Sequence, residues 1–269
     1  MEDTPLHRAE RTYSAAADHF DRPALAFWDR VGTGAVQRLN LTAGQSVLDL
    51  CCGMGASALP AARAVGPTGR VLGIDIAEPL LTKARRRAEQ EGLTQARFER
   101  ADATNTGLPS GSFDAVVCVF GVFFVADMPA FVAEMWRMVR PGGRLAITTW
   151  GTGWVEPAST VFWNSVRAIE PTLHKAFNPW DSVTTVPAVE ALFADAGATP
   201  VEVEAVSGQQ ELTRPEDFWD IVLGSGCRAT VDAMSADQQR ALRDRVIDQI
   251  RADRIESLRT DVIHAIAVP

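Results

Sequence analysis

Cysteine is scarce in this chain. Its 269 residues hold four, Cys51, Cys52, Cys118 and Cys227. Two of these are adjacent, so the spaced pairs of a zinc site are missing. Buried, reduced thiols are the expectation, and no metal is expected. No apolar run reaches the ~20 residues of a membrane span. The first residues, M-E-D-T-P-L-H-R-A-E, are acidic and polar, unlike a signal peptide. Positive charge is in deficit, with a formal net charge of −8. Such a chain repels phosphate backbones on average, which argues against a nucleic-acid binder. The basic run Lys83-Ala84-Arg85-Arg86-Arg87 reads as the solvated face of a helix. Repeats, low-complexity tracts and long linkers are missing as well. These absences lead us to expect one soluble, cytoplasmic domain.

What is present is a hydrophobic content of 46%, enough for a sizeable core, and one stretch that organises the rest. From Ser46 the chain reads S-V-L-D-L-C-C-G-M-G-A-S-A-L-P-A-A-R-A-V, then reaches G-R-V-L-G-I-D-I at Ile76. A short apolar strand carries Asp49. A small-residue turn follows from Cys51 to Gly55, and then an Ala-rich helix. A second apolar strand ends on Asp75. This is the order of a nucleotide-binding βαβ unit.

Before it, residues 9–21 place Tyr13, Ala16, Ala17 and Phe20 at helical spacing. Residues 24–40 predict a second helix, with Leu25, Trp28, Val31, Val36 and Leu39 inward and Gly32 and Gly34 weakening its middle. Residues 1–40 thus read as an arm or lid. After Asp75, helices and strands alternate. Leu80, Leu81, Ala84 and Ala88 form one inner helix face, and Phe113 to Phe120 is a near-continuous apolar run. A helix is expected over 129–139. Pro141-Gly142-Gly143 is then read as the turn into a strand ending at Trp150. Such alternation predicts a parallel sheet covered on both faces. Its ligand belongs beyond the carboxyl ends of the strands, near Asp49–Gly55, Asp75, Asp102, Phe120 and Trp150. Past Trp150 the chain is rich in Trp and Pro. A helix over 187–197, a strand over 201–206, helices over 215–257 and a strand over 262–268 complete it.

Three ligand classes suit the glycine turn. Gly53-Met54-Gly55-Ala56-Ser57-Ala58 fits the dinucleotide pattern G-x-G-x-x-A, but a fixed carboxylate at Asp49 opposes a diphosphate there. A nucleoside triphosphate would need the missing P-loop lysine. S-adenosylmethionine brings an ammonium and a sulfonium and no phosphate. It needs the close backbone approach that Gly53 and Gly55 permit, with acids at Asp75 and Asp102 for its ribose and adenine.

Five segments in order, Asp49 to Gly55, Gly73 to Ile76, Ala101-Asp102-Ala103, Phe113 to Val117 and Val139 to Gly143, resemble the successive motifs of class I S-adenosylmethionine-dependent methyltransferases. The likeness is strongest to the ubiquinone/menaquinone C-methyltransferase branch and covers residues 9–150. It implies an α/β, doubly wound, mostly parallel seven-stranded sheet. Residues 1–40 would be the arm, 41–150 the cofactor core, and 151–269 the remaining strands with substrate-side helical insertions. It further implies that Asp49, Cys51, Gly53 and Gly55 hold the methionine part, and that Asp75 binds the ribose hydroxyls with Ile76 against the adenine. Asp102 and the Ala103 amide would read the adenine edge, Phe120 would close the pocket, and Tyr13 and Phe20 would cover it. Cys51 stands where the family's first glycine is usual. The branch's His-His pair is Phe123-Phe124 here. His19, in the arm, is then the catalytic candidate, with His174 and Glu156 behind it and His264 discounted in the last strand.

The expected activity is methyl transfer from S-adenosyl-L-methionine to a small, largely apolar or aromatic acceptor, leaving S-adenosyl-L-homocysteine. The Trp-rich segments read either as core filling or as the acceptor's pocket. Cyclisation on the same fold and cofactor, an NAD-dependent reductase and a non-enzymatic binding module are the alternatives, the reductase opposed by Asp49. A homodimer is left open.

Overall fold

A computed structural model describes residues 5–268 of the chain. The arm comprises helices α1 (Pro5–Ala16) and α2 (Phe27–Arg38), joined by turns and a 3-10 segment at Pro23–Leu25. The core then alternates β1 (Ser46–Leu50), α3 (Ala58–Val65), β2 (Arg70–Asp75), α4 (Glu78–Gln90), β3 (Ala96–Arg100), β4 (Phe113–Val119), α5 (Met128–Met138) and β5 (Val139–Trp150). Next come α6 (Ala158–Ile169), α7 (Val186–Asp195), β6 (Val201–Val206) and β7 (Gln209–Glu211). The chain closes with α8 (Asp217–Leu223), α9 (Arg228–Asp232), α10 (Ala236–Ala252), β8 (Ser257–Arg259) and β9 (Val262–Ala267).

Seven strands form one sheet in the order β3-β2-β1-β4-β5-β9-β6. β1 to β5 are mutually parallel, and β9 runs antiparallel between β5 and β6. The order reverses between β1 and β4, which opens a crevice at their carboxyl ends. Side chains alternate across the sheet as pleating requires. Leu48 and Leu50 of β1 join Val116, Cys118 and Ile147 in one core. Val47 joins Ala115, Val117 and Ala146 in the other. Both cores are closed by helices, so the central strands read as unbroken apolar runs. β6 sits at the sheet's edge and keeps its glutamates exposed, as its alternation predicts.

Some boundaries differ from expectation. The first helix ends at Ala16, and residues 17–21 are turns with His19 and Phe20 amides bonded back to Ala16 and Ala17. The second begins at Phe27, after the 3-10 segment, rather than at residue 24. Pro141-Gly142-Gly143 lies inside β5, where Gly142 takes φ 77° and the register with β4 shifts. The helical stretch over 215–257 divides into α8, α9 and α10. The β7–β8 pair carries no apolar alternation, so periodicity gave no sign of it.

At Gly32 the backbone of the arm comes against the backbone that follows the glycine turn. A Cβ there would lie 2.3 Å from the Ala56 carbonyl oxygen and 2.9 Å from the Ser57 nitrogen. The backbone of α2 therefore rests directly on the glycine turn. At Gly34, two residues on, a Cβ would meet only side chains, at 3.5 Å or more. Opposite effects are expected by thermal melting. Gly34→Ala should stabilise by up to ~1 kcal/mol through helix propensity. Gly32→Ala should destabilise by ~1–3 kcal/mol, because fixed backbone cannot yield to the new methyl. Equal shifts of Tm for both would contradict this contact. The basic run also has a role beyond a solvated face: Lys83 pairs with Asp21 at 2.7 Å and Arg87 with Asp29 at 2.9 Å, tying α4 to the arm.

Candidate active site

The ends of β1, β2, β3 and β4, together with the arm, enclose a cleft of about 1010 Å³ including its open mouth. β1 supplies Cys51 to Met54, β2 supplies Asp75 and Ile76, and the chain after β3 supplies Ala101 to Thr104. The chain after β4 adds Phe120, Gly121, Phe124 and Val125. The arm covers these with Leu6, Ala9, Tyr13, Phe20 and Trp28.

The turn is shaped by left-handed backbone. Cys51 takes φ 59°, Gly53 φ 52° and Gly55 φ 87°. Glycine adopts such angles freely, whereas Cys51 holds one at a cost of about 1 kcal/mol. Its sulfur packs beside Cys118 over Gly121, where an added Cβ would lie 2.7 Å from each sulfur. The Gly53 N–H donates to Asp75 Oδ2 at 2.8 Å, and the Ala77 N–H donates to Oδ1 at 2.9 Å. Asp75 thus locks the turn to β2 and lines the cleft. Burial raises its carboxyl pKa against backbone hydrogen bonds from Ala77, Gly53 and Ile76. Asp102 is held in an Asx turn, its Oδ1 accepting from the Thr104 N–H at 2.8 Å and the Thr104 hydroxyl at 2.7 Å.

Three expected site residues lie elsewhere. Asp49 is fully buried behind the turn and does not line the cleft. Its Oδ2 accepts from the Ser57 hydroxyl at 2.7 Å, while Oδ1 is buried with no partner. Burial, with the neighbouring Asp75 charge, pushes its pKa up to about 7 against hydrogen bonding from the Ser57 hydroxyl and the Ala58 backbone. The fixed charge expected there is therefore a titrating one. Gly55 also lies behind the wall, packed on Leu59 and Ala84, so its part is to turn the chain. His19 points away from the cleft toward α8: Nε2 is 3.9 Å from Asp220 Oδ1, and Nδ1 is buried without a partner. The turn after Ala16 carries Phe20 inward and His19 outward.

The remaining candidate bases are outside the cleft as well. His174 contacts Arg167 at 2.8 Å, Glu156 caps Thr160, and His264 bonds Thr148 at 2.8 Å inside the sheet. Tyr13, Phe20, Cys51, Gly53, Asp75, Ile76, Asp102, Ala103 and Phe120 are brought together as expected. Trp28, Met54 and Phe124 join them. Trp28 reads in sequence as one more residue of an inward helix face, which is why its place in the cleft is not legible there.

Charge decides which ligand fits. The described residues lining the cleft include two carboxylates and no Lys, Arg or His. A diphosphate would enter with no cation to meet it, whereas a sulfonium and an ammonium gain from this field. Residues 47–143 also match the family profile described as "Methyltransferase domain". Over these residues the chain resembles a methyltransferase domain.

The chain is 28% identical to nocamycin O-methyltransferase of Saccharothrix syringae over 255 residues, 89% of this chain and 90% of that one. It is 34% identical to the aklanonic acid methyltransferase DauC of Streptomyces sp. strain C5 over 139 residues, 52% of this chain and 63% of that one. In fold it resembles the [4+2]-cyclase SpnF, with a TM-score of 0.60 at 16% identity over 99% of this chain and 97% of that one. No helix among the described residues is long and apolar enough to cross a membrane.

Proposed function

We propose that this chain is an S-adenosyl-L-methionine-dependent methyltransferase that acts in biosynthesis, in the cytoplasm, on a small, largely apolar or aromatic acceptor. The observation that carries the reading is the cleft at the β1/β4 switch point, acidic at its cofactor end and lined by aromatic rings from the arm and the β4 end. In this reading Asp75 takes the ribose hydroxyls, and Asp102 and the Ala103 amide read the adenine edge. Cys51 and Gly53 lie along the methionine part, with Asp49 acting from behind them. Tyr13, Phe20 and Phe120 exclude water over the methyl group.

The bound donor supplies an electrophilic methyl. The protein's contribution is orientation and dryness, since in-line displacement at carbon needs no covalent help from side chains. Among the described residues the cleft wall offers no histidine, so the acceptor's reacting atom must arrive already nucleophilic or deprotonated. Isothermal titration and product mass spectrometry test the proposal together. Binding of S-adenosyl-L-homocysteine and a product heavier by one methylene are expected. A product isomeric with its substrate would favour cyclisation, and no binding of either cofactor form would remove the reading altogether.

A further inference from the structure

The cofactor of the reading above carries three charged groups at its methionine end: a sulfonium, an ammonium and a carboxylate. The acidic cleft wall suits the first two and opposes the third. No Lys, Arg or His is among the described residues lining it. A carboxylate there must therefore be held by neutral hydrogen-bond donors. Tyr13, Trp28, Ser57 and Thr104 are the described lining residues with a side-chain O–H or N–H. The Ser57 hydroxyl is spent on Asp49 Oδ2 at 2.7 Å, and the Thr104 hydroxyl on Asp102 Oδ1 at 2.7 Å. The Tyr13 hydroxyl lies beside Gly226, where an added Cβ would be 3.7 Å from it, and Gly226 is not part of the wall. Trp28 is different. It lines the cleft at 8% exposure, and its indole Nε1 is buried without a partner. A buried Trp ordinarily finds an acceptor for this group.

Packing fixes this ring and places it. It lies parallel to Phe20, centroids 5.3 Å apart at 3°, and meets Phe27, Phe120 and Trp150 at 4.6 to 5.6 Å. These neighbours hold its plane and offer no oxygen. Trp28 stands one turn before Gly32, on the α2 face that meets the Ala56 carbonyl. Its stacking partner Phe20 comes within 3.9 Å of a Cβ placed on Gly53. Gly53 and Ala56 belong to the segment after β1, along which the methionine part lies. An indole N–H donates and cannot accept. The ammonium and the sulfonium are cations and give it nothing to bind. Of the groups at that end, only the carboxylate accepts.

We propose that Trp28 is a cofactor-binding residue whose Nε1–H donates to the methionine carboxylate of S-adenosyl-L-methionine, in the role a basic side chain would otherwise fill. The proposal rests on the methyltransferase reading above. The bond is charge-assisted, which makes it stronger than a neutral pair. Because its donor is neutral, it holds the carboxylate without placing a positive charge beside the sulfonium.

Isothermal titration of the full chain tests it with two ligands, S-adenosyl-L-homocysteine and its decarboxylated analogue, which keeps the amine. The affinity ratio of the two should fall ~tenfold or more in Trp28→Phe, through weaker S-adenosyl-L-homocysteine binding alone. The acidic wall is the same in both proteins, so the change in ratio reports the carboxylate bond. Phenylalanine keeps a ring against Phe20. The chain has seven tryptophans, and their indole N–H signals in the nitrogen-15 spectrum of the wild type give an independent readout. One signal, the one missing from Trp28→Phe, should lie further downfield in the S-adenosyl-L-homocysteine complex than in the analogue complex. An unchanged affinity ratio, equal weakening of both ligands, or indole signals that coincide in the two complexes would overturn the proposal. The spectral comparison needs only the wild type, so it decides even if the variant fails to fold. Failure of the wild type to bind either ligand would instead remove the cofactor reading itself.

Discussion

Asp75→Ala is expected to weaken S-adenosyl-L-methionine binding by at least ~100-fold, measured by isothermal titration. Hydrogen bonds to a charged group contribute about 1.5–3 kcal/mol each, and a diol makes two. The substitution also frees the Gly53 and Ala77 N–H groups, which Asp75 holds at 2.8 and 2.9 Å. The turn that lets the ligand approach the backbone then loses its anchor to β2. Asp75→Asn retains one acceptor oxygen but presents an amide donor to one of those N–H groups, so its affinity should fall between the two. Wild-type affinity within threefold in Asp75→Ala would place the ribose end of the ligand elsewhere.

Cofactor binding should also depend strongly on pH through Asp49. In the free protein its carboxyl titrates near 7, with burial as the main cause and the Asp75 charge adding to it. The groups facing it are the Ser57 hydroxyl, Asp75 and the buried Cys52 thiol. A cation in the adjacent turn favours the ionised carboxylate, so binding below neutrality must expel a proton. Affinity should therefore rise with pH, by up to ~tenfold per unit below about 7, and level off above it. Asp49→Asn should remove that slope, while the ligand's own amine titrates equally in both proteins. The same shift has a stability consequence of determined sign. The folded carboxyl at about 7 lies above its ordinary 3.8, so the folded state holds more protons between these values. Stability of the cofactor-free protein should fall as pH rises through that window and be restored by the ligand. A pH-independent affinity, or an identical slope in Asp49→Asn, would disprove the coupling.

The core was legible because its signals are local. Apolar runs with period two, an Ala-rich helix after a glycine turn, and acids at strand ends all lie within a few residues of one another. The parallel arrangement follows from their alternation. Asp75 and Asp102 could be assigned because residues at or just past a strand's end are forced to the carboxyl edge of the sheet. The arm was less legible. Residues 17–21 turn rather than continue a helix, and that turn alone decides that Phe20 faces the cleft and His19 faces Asp220.

The sequence by itself determined the sheet, the glycine turn and the acids that surround it, since each depends on neighbours in the chain. Tertiary structure decided two other matters. It set Asp49 behind the turn, where burial makes its charge titrate near neutrality. It also packed Trp28 of the arm against Phe120 and Trp150 and left its indole donor unpartnered there. Burial and long-range contacts arise only when distant segments pack together, so no local pattern encodes them.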